Sequence, residues 1–155
     1  ARTLVGRDMA FINTGYGKAE LLGIRIDGKG DVTDTHIVWR LRKGAPNKPS
    51  PVLHDGHLYT VTDGGVASCI HPKTGEVIWQ ARIGGEYSAS LLLSNGNIYC
   101  FDQDGTCLVF QANPKEFKQV SKSELDDGFM SSPAVFFNSL ILRTKTHLYR
   151  IQRKG

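Results

Sequence analysis

The chain repeats itself at a spacing of forty residues. Residues 50–70, SPVLHDGHLYTVTDGGVASCI, lie over residues 90–110, SLLLSNGNIYCFDQDGTCLVF, with no gap. Ser50 falls on Ser90, Gly56 on Gly96, Tyr59 on Tyr99 and Gly65 on Gly105. A third copy, SPAVFFNSLILRTKTHLYRI at 132–151, follows at an offset of 82 from the first and carries Asn138 and His147 where the others have turn glycines. Upstream, MAFINTGYGKAELLGI at 9–24 leads to Trp39 much as the next copy leads to Trp79. The units run over about 9–46, 47–86, 87–128 and 129–152. Repeats of this length cannot bury a hydrophobic face alone, so each must be covered by the next.

Within a unit, an apolar run (SPVLH), two alternating runs (HLYTVTD and VASCIHP) and a last run (EVIWQARI) are separated by Asp-Gly, Gly-Gly and Thr-Gly links. Such links supply the positive φ that tight hairpins need. The pattern predicts four antiparallel strands per unit, in the order inner, second, third and outer. No 3.6-residue apolar period is sustained, so helix is expected to be minor. Small four-stranded sheets repeating every ~40 residues predict an all-β, partial β-propeller of about three and a half blades. Two blades are expected to be incomplete. The first lacks a legible inner strand, and the last stops at Ile151-Gln152 after its third strand. Thr74-Gly75 reads as a turn, and Trp39, Trp79, Tyr59, Tyr99 and Phe101 are expected to fill the wedges between blades.

The stretch CIHPKTGEVIW at 69–79, with SPVLHDGHLY before it, resembles the PQQ-like β-propeller repeat family. The family's docking pattern is matched by Cys69, Thr74, Gly75 and Trp79, while His71 stands where an Asp is expected. The following unit departs further, with Pro114, Lys115 and Gln119 in place of Thr, Gly and Trp. The family spans quinoprotein alcohol dehydrogenases and non-enzymatic outer-membrane assembly lipoproteins of the BamB type. The resemblance covers about residues 9–152. It implies seven or eight blades in the whole protein, so that this chain is the C-terminal half and an upstream half completes the ring. It also implies an extracytoplasmic, periplasmic setting.

Chemistry-bearing motifs are sparse. Net charge is +4, but Lys and Arg are scattered and no nucleic-acid reader motif accompanies them. No run of 18 apolar residues occurs, so no transmembrane helix is expected. Cys69, Cys100 and Cys107 read as buried small hydrophobes. Ser50 and Ser132 precede prolines and sit in no G-x-S-x-G elbow. His54 and His57 flank a hairpin turn without a third metal ligand. Asp27, Asp31 and Asp34 form a glycine-containing loop that does not match an EF-hand. The family's enzymes use an adjacent cysteine pair around their quinone, and this chain has none. The expectation is therefore a non-catalytic scaffold with no cofactor or metal of its own, binding a protein or polysaccharide. The alternative is a fragment of a PQQ-dependent quinoprotein oxidoreductase. Candidate partner-binding residues are Glu86 and Tyr87 in GGEYSA, and Asp126, Asp127 and Phe129 in DDGFMS. In both loops an aromatic ring neighbours carboxylates.

Overall fold

A computed structural model describes residues 2–15, 17–125 and 127–152. These form fifteen strands in four separate antiparallel sheets, and no helix among the described residues. The first blade holds β1 (Leu4–Val5), β2 (Met9–Asn13), β3 (Leu21–Arg25) and β4 (Ile37–Leu41). The second holds β5 (Val52–His54), β6 (His57–Val61), β7 (Val66–Ile70) and β8 (Val77–Arg82). The third holds β9 (Leu92–Ser94), β10 (Asn97–Phe101), β11 (Thr106–Gln111) and β12 (Gln119–Glu124). The fourth holds β13 (Ala134–Phe136), β14 (Ser139–Arg143) and β15 (Leu148–Gln152). Each strand pairs only with its sequence neighbours. This is the arrangement the repeat predicts for stacked propeller blades.

One expectation needs correcting. The first blade does have an inner strand, because β1 pairs with β2 in the register Leu4↔Phe11 and Val5↔Ala10. Two residues are too few to show a period-2 pattern, so the strand is invisible until its partner is in place. The fourth blade has three strands among the described residues, as expected.

The hairpins between inner and second strands turn on Asp55-Gly56 and Asn95-Gly96, all four at positive φ. Asp and Asn tolerate this left-handed conformation, and glycine adopts it freely. The fourth blade places Phe137 at φ 52° in the equivalent turn, where an aromatic side chain is strained.

Blades converge on their inner edge through a ladder of serines. The backbone N–H of Arg2 donates to Ser50 Oγ at 2.7 Å, that of Ser50 to Ser90 Oγ at 3.2 Å, and that of Ser90 to Ser132 Oγ at 3.0 Å. These serines precede the inner strands, and their role is structural: each blade is tied to the next near the common axis.

On the outer side the blades diverge, and tryptophan fills the gap. Each four-stranded sheet carries a bulge at the same place, at Gly23/Ile24, Cys69/Ile70 and Val109/Phe110. Trp39 pairs with Gly23 and Trp79 with Cys69, just beside the bulge. Trp39 donates its indole N–H to the carbonyl of Pro72 in the second blade, at 2.8 Å. Trp79 does the same to Asn113 of the third blade, at 2.9 Å. Gly75, at φ 73°, lies under the Trp39 ring so closely that a Cβ there would come within 2.6 Å of it. The Thr74-Gly75 turn is therefore the seat for the preceding blade's tryptophan.

The third blade breaks this pattern. Ile70 pairs with Val77, but its counterpart Phe110 pairs with Gln119, two residues further along the loop. The longer loop carries Phe117, whose ring meets Trp79 edge-on at 5.9 Å. In exchange, the register of β12 moves, and the residue opposite Val109 is Ser121. Ser121, rather than Gln119, occupies the place of the tryptophan.

Candidate interaction surface

The loops joining an outer strand to the next inner strand are pinned to the blades on both sides. Tyr87 forms an isolated antiparallel bridge with Asp102, and Phe129 forms one with Thr144. The Tyr87 N–H donates to Asp63 O at 2.7 Å, and the Gln103 N–H to Glu86 O at 2.8 Å. The Phe129 N–H donates to Asp102 O at 3.0 Å. These bonds leave the backbone little freedom, so the side chains on the loop surface are held in place.

The two aromatic rings of the candidate set point inward. Tyr87 and Phe129 are each 1% exposed. Tyr87 joins the core between second and third blades, and Phe129 packs edge-on against Phe101 at 5.1 Å in the core between third and fourth. Burial pushes the Tyr87 hydroxyl well above its ordinary pKa. Their side chains act as anchors beneath the loops. Glu86 is exposed, and Asp127 is half-buried. Asp126 lies outside the described residues.

Asp127 is the strongest polar feature here. Its carboxylate accepts from the Thr146 hydroxyl at 2.6 Å and the Thr146 N–H at 2.7 Å. The Thr146 hydroxyl, with lesser help from Thr144, holds its pKa down to about 2. A contact of the reverse sense joins the first two blades, where Asp63 in a turn accepts from the Asn47 N–H of a loop at 2.7 Å and lies 3.7 Å from Lys48 Nζ. In both places a carboxylate locks a loop to a turn of an adjacent blade.

The other chemical candidates are dispersed. Cys69 and Cys100 are buried, and Cys107 is half-buried. Burial raises all three thiols, that of Cys107 to about 11, so they are protonated at neutral pH. In the acidic loop, Asp27 lies 3.4 Å from Arg25 and 3.3 Å from His36, while Asp31 caps the Thr33 N–H at 3.0 Å. Among the described residues, no three His, Cys, Asp or Glu side chains converge on a point where a metal could sit. No helix among them is long and apolar enough to cross a membrane.

Together these features define a partial propeller whose blades are latched by tryptophan and whose loops form a rigid rim. The family profile described as outer membrane protein assembly factor BamB matches residues 29–116, more than half of the chain, and the chain belongs to that PQQ-like propeller repeat family. No curated protein sequence matches it. Among solved structures, BamB from Moraxella catarrhalis superimposes with a TM-score of 0.69 at 15% identity, covering 92% of this chain and 41% of that one. A europium-containing methanol dehydrogenase gives 0.61 at 10% identity, over 79% of this chain and 24% of that one. The computationally designed Ika4 protein gives 0.69 at 11% identity, over 97% and 88%. At these identities the likeness is one of fold, and the chain spans less than half the length of the BamB structure it matches.

Proposed function

We propose that this chain is part of a non-catalytic, extracytoplasmic propeller that serves as a scaffold for a protein or polysaccharide partner. The observation that carries this reading is the rim of pinned loops. Their backbone is locked by hydrogen bonds, their aromatics are anchored below, and Glu86 and Asp127 face outward or lie half-exposed above. Such preorganisation lowers the entropic cost of docking a partner and serves recognition well. The proposed contact set is the one legible in the sequence, Glu86, Tyr87, Asp126, Asp127 and Phe129, with the two rings acting through the loops they support.

The two end blades support the further proposal that an upstream half completes the ring. Val5 and Val38 on the first blade are 61% and 48% exposed, and Phe136 and Leu148 on the fourth are 56% and 74% exposed. Apolar residues gathered at both ends of a stack suit faces that other blades cover. The test uses the whole protein. A photo-crosslinking residue at Glu86 should trap a partner outside the cytoplasm, and Glu86→Arg should weaken that complex while leaving the fold intact. Uptake of PQQ together with dye-linked alcohol oxidation would overturn the scaffold reading.

A further inference from the structure

The seam between the first and second blades holds a cavity of about 420 Å³. Gly6, Gly56 and Pro72 line it, so it lies among the inner–second and third–outer turns, at the end of the blades opposite Glu86 and Asp127. One residue accounts for it. Gly6 follows the pair Val5↔Ala10 as His54 follows Leu53↔Leu58, so the two stand at the same place in successive blades. In the next seam the His54 ring reaches over the third blade, where a Cβ on Gly96 would lie 4.0 Å from its Nε2. A Cβ on Gly56, the matching position in the second blade, would meet nothing within 4 Å. Where glycine stands in place of histidine, the space a ring would fill is open. Both blades here are four-stranded and packed on each other through Phe11, Trp39, Leu58 and Ile70, so the cavity owes nothing to either end of the stack.

The walls set what fits. Met9 and Phe11 of the first blade and Leu53 and Pro72 of the second give an apolar floor. Arg7, Lys73 and His71 also line the cavity, with Asp8 as the one carboxylate among its lining residues. Lys73 Nζ lies 4.0 Å from Asp8, a loose ion pair, and Arg7 has no carboxylate partner among the described residues. Arg7, Asp8 and Lys73 are exposed, so two cations against one carboxylate leave the rim net positive. Behind the wall, His71 Nδ1 is buried and has no hydrogen-bond partner. Unmet polar atoms are rare in closed packing and suit a site that a ligand completes. An apolar floor under a cationic rim selects an anion with an apolar body. Ligand pockets run to about 300–1,000 Å³, so this one, at the small end, suits a body of one ring.

We propose that this seam binds a small aromatic carboxylate. The ring enters between Phe11, Leu53 and Pro72, and the carboxylate stays at the rim beside Arg7 and Lys73, taking the place of Asp8 at Lys73. The site is separate from the loops proposed for a macromolecular partner and lies at the other end of the blades.

The experiment titrates the whole protein with phenylpropionate, phenylpropanol and phenylpropylamine, which share a body and differ in charge. It follows the methyl NMR signals of Met9 and Leu53. The carboxylate should shift both signals saturably, about fivefold more tightly than the alcohol and about tenfold more tightly than the amine. Arg7→Gln should remove most of the preference over the alcohol, and Asp8→Asn should tighten the carboxylate by about threefold. Gly6→His, which copies the next seam, should abolish the shifts for all three compounds. Circular dichroism establishes that each variant is folded; if Gly6→His misfolds, Arg7→Gln and Asp8→Asn decide. Equal affinity for carboxylate and alcohol would overturn the proposal. So would the lack of any saturable shift, shifts confined to other methyl groups, or undiminished binding in folded Gly6→His.

Discussion

The second and fourth blades share a sequence template and differ in how they are closed. In the second, Leu58, Tyr59, Val61, Cys69 and Ile70 are all at most 1% exposed, Trp39 seals one face and Trp79 reaches over the other. In the fourth, only Leu142 among the apolar strand residues is buried, while Phe136, Leu148 and Ile151 are 56%, 74% and 43% exposed. What stabilises a blade is the neighbour on each face, as expected for repeats whose energy lies in their interfaces.

The difference can be broken most forcefully at its latch. Trp79→Ala should cost about 3–5 kcal/mol, read as a fall in the urea midpoint, because the ring packs on Tyr59, Phe110 and Phe117 and leaves a cavity when removed. A change to alanine at exposed Phe136 should stay within about 0.5 kcal/mol. Gly75→Ala comes next, at about 1–3 kcal/mol, since it combines a left-handed backbone with a close approach to the Trp39 ring. Trp79→Phe keeps much of the packing but removes the 2.9 Å bond to Asn113 O, and should cost about 1 kcal/mol beyond the lost area. In the fourth blade the sign reverses: Phe137→Gly relieves the strained turn and should raise stability by about 1 kcal/mol.

The smallest effect is electrostatic. Asp127 has a folded pKa of about 2, below its ordinary 3.8, so its pairing with Thr146 stabilises the fold above the ordinary value and is lost as pH falls toward 2. Thr146→Ala should bring the carboxyl back toward 3.8 in an NMR titration and remove that part of the acid sensitivity.

The blade architecture was legible because it rests on local signals. Asp-Gly and Asn-Gly turns, period-2 runs and the spacing of Trp39 and Trp79 need only the residues themselves. The features that escaped depend on relations between blades. Gln119 aligns with Trp79 by position, yet the longer loop that brings Phe117 to Trp79 makes Ser121 the spatial counterpart. Tyr87 and Phe129 sit in polar loops, and only the bridge to the next blade shows that their rings turn inward. The serine ladder was likewise hidden, since a hydroxyl accepting from a residue forty positions away leaves no mark on its own neighbourhood. Carboxylates beside aromatic rings marked the rim loops as the place to look, while the basic zone of Arg143, Lys145 and Arg150 at the tail carried no reader motif to give it a role.

Native-state amide exchange across all four sheets tests the central claim most directly: stability in this molecule resides at tryptophan-latched seams. Amides of β6, β7 and β10 should exchange slowest and together, while those of β14 and β15 exchange faster by orders of magnitude, with the fourth sheet opening on its own. Equal protection in the second and fourth blades would contradict it.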